Sequence, residues 1–219
     1  MSAKRRLPLV LVFAVLLGGI PWHLGTRADQ LVPEMVPAHM RLAIALPTDR
    51  PMTTLEDATA STVLLSEDFE SSFPGGRWLL VGELSTPAYL WGRRDCRRHG
   101  GAYAAWAAGA RESGAVPDCG QNHPPQVRTW MVAGPFDLRR ITQGQLTFWH
   151  WTRTESQVDK LYVMLSLDQT NFYGSSFSGD WASQCAANGG WCQETVDLTD
   201  VVEEARGRGL KFPLLIRFQ

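Results

Sequence analysis

The sequence predicts an all-β chain, an antiparallel β-sandwich preceded by an N-terminal signal or anchor helix. Three observations predict it. From Thr62 onward, short runs rich in aromatic and β-branched residues alternate with turn residues, as in Phe73-Pro74-Gly75-Gly76 and Ala187-Asn188-Gly189-Gly190. No segment carries the long apolar repeat of period 3.6 that marks an amphipathic helix. The first residues are basic and then apolar, unlike anything that follows.

In MSAKRRLPLVLVFAVLLGG, Lys4, Arg5 and Arg6 precede an apolar run from Leu7 to Ile20. That order reads as an export signal, because a buried core helix would explain the apolar run but not its basic flank. As a helix the run rises about 21 Å, short of the roughly 30 Å apolar core of a bilayer. Thr26-Arg27-Ala28 is a poor cleavage site, and Pro21-Trp22-His23 would suit a retained anchor. Residues 1–28 are therefore expected to be a signal peptide or a signal anchor that gives N-terminal membrane association. Residues 29–61, with Pro33, Pro37, Pro47 and Pro51, read as a spacer in which Leu42 to Leu46 is a strand or a helical turn. Residues 62–219 form the sandwich.

Cutting after Ala28 leaves 17 basic against 22 acidic residues, a formal charge of -5. Nucleic acid is thereby excluded as the main partner, since counterion release needs a basic surface. The dense basic cluster Arg93, Arg94, Arg97 and Arg98 reads as a solvated loop. Cys96, Cys119, Cys185 and Cys192 are even in number, which in an exported chain points to two disulfides. Sequence order favours Cys96–Cys119 and Cys185–Cys192, with three connectivities formally open. No CxxC or CxxxH spacing supports zinc.

Strands are expected at VLLSEDF, RWLLVG, AYLWG, AYAAW, RTWMVAG, QLTFWHW, KLYVMLSL, CQETVDL and FPLLIRF. In QLTFWHW, Leu146, Phe148 and His150 project one way and Thr147, Trp149 and Trp151 the other. In KLYVMLSLD, Leu161, Val163, Leu165 and Leu167 oppose Tyr162, Met164 and Ser166. TRTESQVD between them reads as a hairpin connection of neighbouring strands. The aromatics read as core, and nine tryptophans imply at least one exposed ring. Val201 to Arg206 reads as a short helical turn.

The motifs VLLSEDFESSFPGGRW, AYLWG, WMVAGPFDLRR, LTFWHW, VDKLYVMLSLDQTNFYG and LLIRF together resemble a bacterial extracellular jelly-roll module. It is similar to the concanavalin-like domains related to MAM domains and to the sandwich region of immune-inhibitor-A-type metallopeptidases. The resemblance covers about residues 62 to 219 and implies a jelly-roll topology. It implies that Glu67-Asp68-Phe69-Glu70 opens the sandwich, and that Asp159 precedes the strand ending at Ser166-Leu167-Asp168. Many relatives carry a further acidic strand after the segment resembling LLIRF, which implies either a C-terminally truncated module, whose central or near-central strand would lack a neighbour, or a sandwich closed differently.

No catalytic signature accompanies the resemblance. HExxH, GxSxG, GxxxxGK[ST] and GxGxxG are absent, and His23, His39, His99, His123 and His150 are scattered. A glycosidase needs two carboxylates about 5 to 9.5 Å apart. Glu70, Asp137, Glu155 and Asp159 could be nominated, but turn and solvation roles suit them better. Structural calcium is the stronger site hypothesis, with Glu67, Asp68, Glu70 and Asp168 as candidate oxygen ligands. His150 reads as a packed, hydrogen-bonded strand residue. The expected function is noncatalytic extracellular recognition or adhesion, binding carbohydrate or protein. Alternatives are a structural domain of a larger cell-surface protein or secreted peptidase, and a small glycan-active enzyme.

Overall fold

The computed structural model describes residues 12–14, 63–83, 87–125, 127–136, 141–168, 172–208 and 214–218. Its strands are β1 (Val12–Ala14), β2 (Trp78–Glu83), β3 (Tyr89–Arg94), β4 (Ala104–Arg111), β5 (Arg128–Phe136), β6 (Gln145–His150), β7 (Leu161–Ser166), β8 (Tyr173–Phe177), β9 (Cys192–Asp197) and β10 (Leu214–Phe218). Among the described residues, helices α1 (Trp181–Gln184) and α2 (Thr199–Gly207) interrupt them, with a 3-10 turn at Ala186–Asn188. The chain is mostly β, in three antiparallel sheets. They are ordered β1-β6-β9, β2-β5-β10-β7-β8 and β3-β4.

Alternation decides which face of each strand is buried. On β6, Leu146, Phe148 and His150 are nearly inaccessible, whereas Thr147, Trp149 and Trp151 are half-buried on the opposite face. On β7, Val163 and Leu165 join Met131, Ala133, Trp78, Leu146 and Phe148 in one core shared by the three- and five-stranded sheets. Helix α2 adds Val202 and Ala205 to it, and the Leu198 N–H donates to the Gly144 carbonyl (2.7 Å) at the helix entry. The five-stranded sheet is apolar on its other face too. There Trp130, Val132, Met164 and Phe172 form a second buried cluster with Leu79, Val81 and Tyr162 against it.

Several sequence expectations need correcting. VLLSEDF is not a strand: only Val63 forms a bridge, and Phe69 takes a left-handed backbone with φ of 60°. TRTESQVD is not a hairpin. β6 pairs with β9 and β7 with β10, so the segment crosses between sheets, folding a turn in which the Glu155 carbonyl accepts the Val158 and Asp159 N–H groups. Alternation specifies faces but not partners, which is why the sequence could not separate the two cases. β10 is not an unpaired central strand, because it bonds β5 on one side and β7 on the other. Val12–Ala14 is extended and pairs with Gln145–Thr147, so the expected helix does not hold at those three residues. The rest of residues 1–28 and the spacer at 29–61 lie outside the described residues.

Phe148 is 1% exposed and packs edge-on against Phe177 (6.1 Å between centroids). Phe148→Ala is expected to lower unfolding free energy by about 3–5 kcal/mol. A shift in the denaturant midpoint at constant m-value checks it.

Candidate functional site

The segment before β2 is fixed by carboxylates that accept backbone N–H groups. Glu67 is 8% exposed; its Oε1 accepts the Phe69 N–H (2.8 Å) and its Oε2 the Trp78 Nε1–H (3.0 Å). A left-handed non-glycine costs on the order of 1–2 kcal/mol, offset here by burial of the Phe69 ring and the charge-assisted bond to its N–H. Glu70 reaches the other way. Its Oε1 accepts the N–H groups of Ala102 and Tyr103 at 2.8 and 3.0 Å and lies where a Cβ on Gly101 would stand. Gly101 has φ of 61°, so glycine meets both the turn and the approach of the carboxylate.

That anchor leads into the loop between β3 and β4, which the Cys96–Cys119 disulfide ties to the segment after β4. Arg94 reinforces the tie, donating to the Pro117 carbonyl (3.1 Å) with Nη2 at 3.7 and 3.8 Å from the two sulfurs. Arg93 donates to the carbonyls of Glu70 and Ser71 and stacks over Tyr103 (4.1 Å). So held, the loop lies on the outer face of β6. His99 stacks on Trp149 with ring centroids 3.9 Å apart, and the Arg97 guanidinium sits 3.7 Å over Trp151.

A second disulfide approaches the same face. Cys185–Cys192 closes the loop after α1, and this loop brings Gly190 against the Trp151 indole and Trp191 edge-on to His99 (5.8 Å). A Cβ on Gly190, whose φ is 88°, would stand 2.5 Å from Trp151 Nε1. Asp180 caps α1: its carboxylate accepts the Ser183 hydroxyl (2.8 Å) and N–H (3.0 Å). These bonds, with Arg153 nearby, hold its carboxyl below the ordinary carboxylate range. The stability it contributes is therefore present above that range and lost as pH falls from it through the lowered value of the folded state. Both disulfide loops thus buttress Trp149 and Trp151.

The expected pairings Cys96–Cys119 and Cys185–Cys192 are both present, and two disulfides fit an oxidising compartment. No helix among the described residues is long and apolar enough to cross a membrane. The expected exposed tryptophan is not found among the described residues: Trp78, Trp91, Trp130 and Trp191 are buried, and Trp106, Trp149, Trp151 and Trp181 half-buried. Loop packing, invisible to alternation, covers them.

The nominated calcium residues divide by position. Glu67 and Glu70 serve N–H groups in opposite directions, Asp68 Oδ1 accepts the Glu70 N–H (3.0 Å), and Asp168, after β7, accepts the Ser166 hydroxyl (3.2 Å). Asp95, Cys96 and Cys119 bring three ligand-type atoms within 4.8 Å, but the two sulfurs are joined to each other. Of the carboxylates nominated for glycosidase chemistry, Glu70 is tied to the start of β4. Glu155 and Asp159 lie in the β6–β7 crossover, with Asp159 3.7 Å from exposed His123, and Asp137 is outside the described residues. His150 is buried, its Nδ1 2.8 Å from Thr152 Oγ1, its ring 4.3 Å from Phe177, and Glu194 Oε1 3.7 Å from its Nε2. It is a packed, hydrogen-bonded strand residue. Sequence reasoning missed His99 and Gly190 as parts of the face; the cysteines flanking them were the available signal.

Burial pushes the His99 imidazole below its ordinary value of 6.5. The unfolded chain then takes up this proton before the folded one does, so stability is full above that value and falls as pH drops through it. His99→Gln is expected to flatten this part of the acid limb, measured as Tm from about pH 7.5 to about pH 5. Cys185→Ser is expected to cost about 2–4 kcal/mol in denaturant unfolding. It is also expected to raise solvent quenching of tryptophan fluorescence as the Gly190 loop leaves Trp151.

Comparison with protein-family models, with curated proteins and with solved structures finds no match to this chain.

Proposed function

We propose that the chain is a noncatalytic extracellular recognition module with a jelly-roll sandwich topology, secreted or held at the membrane by its N-terminal segment. It engages carbohydrate or protein through the surface that the two disulfide loops build over the outer face of β6. The observation that carries this reading is the convergence of two disulfide-closed loops on one sheet face, around Trp149 and Trp151. Covalent closure reduces the freedom of loop backbone that binding would otherwise have to restrict. The surrounding side chains are suited to contact rather than bond making. Thr147 and Thr195 share a hydroxyl–hydroxyl contact of 3.1 Å, and Gln193 is exposed opposite Trp149 in the β6–β9 register. The jelly-roll topology is supported by the MAM-like motif pattern together with the antiparallel sheets and their shared core.

The test uses oxidised full-length protein passed over immobilised neutral and acidic glycans and purified extracellular matrix proteins. Retention on at least one of them is expected, with no release of soluble product, and reduction of the disulfides is expected to abolish it. Trp149→Ala is expected to weaken retention by about tenfold while the far-ultraviolet spectrum stays that of a β protein. Retention on none of the surfaces, or turnover of any glycan, overturns the reading.

A further inference from the structure

Four arginines within six residues look alike in the sequence, yet they divide sharply in space. Arg93 and Arg94 direct their guanidiniums at backbone carbonyls, an aromatic ring and the disulfide. Arg97 and Arg98 are exposed. Among the described residues Arg97 donates no hydrogen bond; its only guanidinium contact is the Trp151 ring, while its carbonyl accepts Trp106 Nε1–H (3.4 Å). Arg98 donates once, to the Asp95 carbonyl (2.8 Å). Among the described residues neither forms a salt bridge with a carboxylate. The Asp95 carboxylate lies beside the disulfide sulfurs instead.

The rest of the face adds donors without matching acceptors. Among the described residues, Trp149 and Trp151 donate no hydrogen bond through their indole N–H groups. Lying over the indole, the Arg97 guanidinium keeps N–H donors unused among the described residues, and a guanidinium can bind a carboxylate through two parallel N–H bonds. The chain as a whole carries a formal charge of -1, so two adjacent unpaired guanidiniums form a local exception to its charge. Elsewhere on the same strand pair, the Thr147 and Thr195 hydroxyls and the Gln193 amide suit a hydroxyl-rich ligand. The large exposed apolar side chains among the described residues, Val63 and Val158, belong to other segments and give a peptide no anchor here.

We propose that Arg97 and Arg98, carried on the disulfide-tied β3–β4 loop, read the carboxylates of an acidic polysaccharide of the polyuronate class at the outer face of β6. The proposal rests on that face being a recognition surface.

The experiment measures binding of oxidised full-length protein to polygalacturonate, to its fully methyl-esterified form, to dextran and to poly-glutamate. Polygalacturonate is expected to bind, more weakly as salt rises, with the ester and dextran at least tenfold weaker. Arg98→Gln, which gives up one backbone contact, is expected to weaken binding about tenfold without changing Tm. Arg97→Gln is expected to weaken binding as much while also lowering Tm through the lost contact with Trp151, and Arg97→Lys to restore charge but not affinity, because the planar fork is lost. Equal binding of poly-glutamate would mean ion exchange and overturn the glycan assignment. Equal binding of the ester or dextran, or unchanged affinity in Arg98→Gln, would overturn the carboxylate role while leaving the recognition reading intact. Loss of retention on every surface, neutral or charged, would overturn both.

Discussion

The strict alternation of β6 is the constraint on which the rest depends. Leu146, Phe148 and His150 close the core from one side, and the residues between them form the face that the two disulfide loops cover. A slip of one residue against β9 would exchange these sets, placing two tryptophans in a filled core and leaving Leu146 and Phe148 under a loop shaped for Trp149 and Trp151. Core and surface are therefore specified by the same register. The Thr147–Thr195 contact and the pairing of Trp149 with Gln193 are consequences of it.

The disulfides make sense in that setting. Each loop carries residues that weaken regular pairing: Gly100 and Gly101 in one, Gly189 and Gly190 in the other. Without covalent closure, such loops would open locally far below the global unfolding free energy. Cys96–Cys119 and Cys185–Cys192 restrict them at their bases, while His99, Arg97 and Gly190 fix them at the tips by contact with the indoles. The Glu70 carboxylate completes the first loop by taking the N–H groups of Ala102 and Tyr103 where β4 begins.

How much of this was legible follows from the range of each interaction. β6 and β7 were readable because alternation is local, and the cysteine pairs because sequence order and short separation favoured them. The opening VLLSEDF misled because its strand propensity was overridden by a distant partner: Glu67 bonds the Trp78 indole, eleven positions away, and turns Phe69 left-handed. The β6–β7 crossover was invisible for a related reason, since the pattern of a strand does not name its neighbour. β8 was overlooked because Gly174, Ser175 and Ser176 have little strand propensity; its place comes from pairing with β7. The face on β6 could be seen as aromatic but not as covered, because covering it takes loops from both disulfides.

The arginine cluster shows the same limit in electrostatic form. As a string, RRDCRR is a run of like charge, and a solvated loop is the simplest account of it. In space the pair before Cys96 is consumed by carbonyls, Tyr103 and the sulfurs, so it stiffens the loop base. That stiffness holds the loop from which Arg97 lies over Trp151, with no salt bridge to a carboxylate among the described residues. A guanidinium held only by a ring retains its hydrogen-bonding capacity, whereas one held by a carboxylate has already used it. The disulfide between the two pairs thus separates a structural charge from an available one.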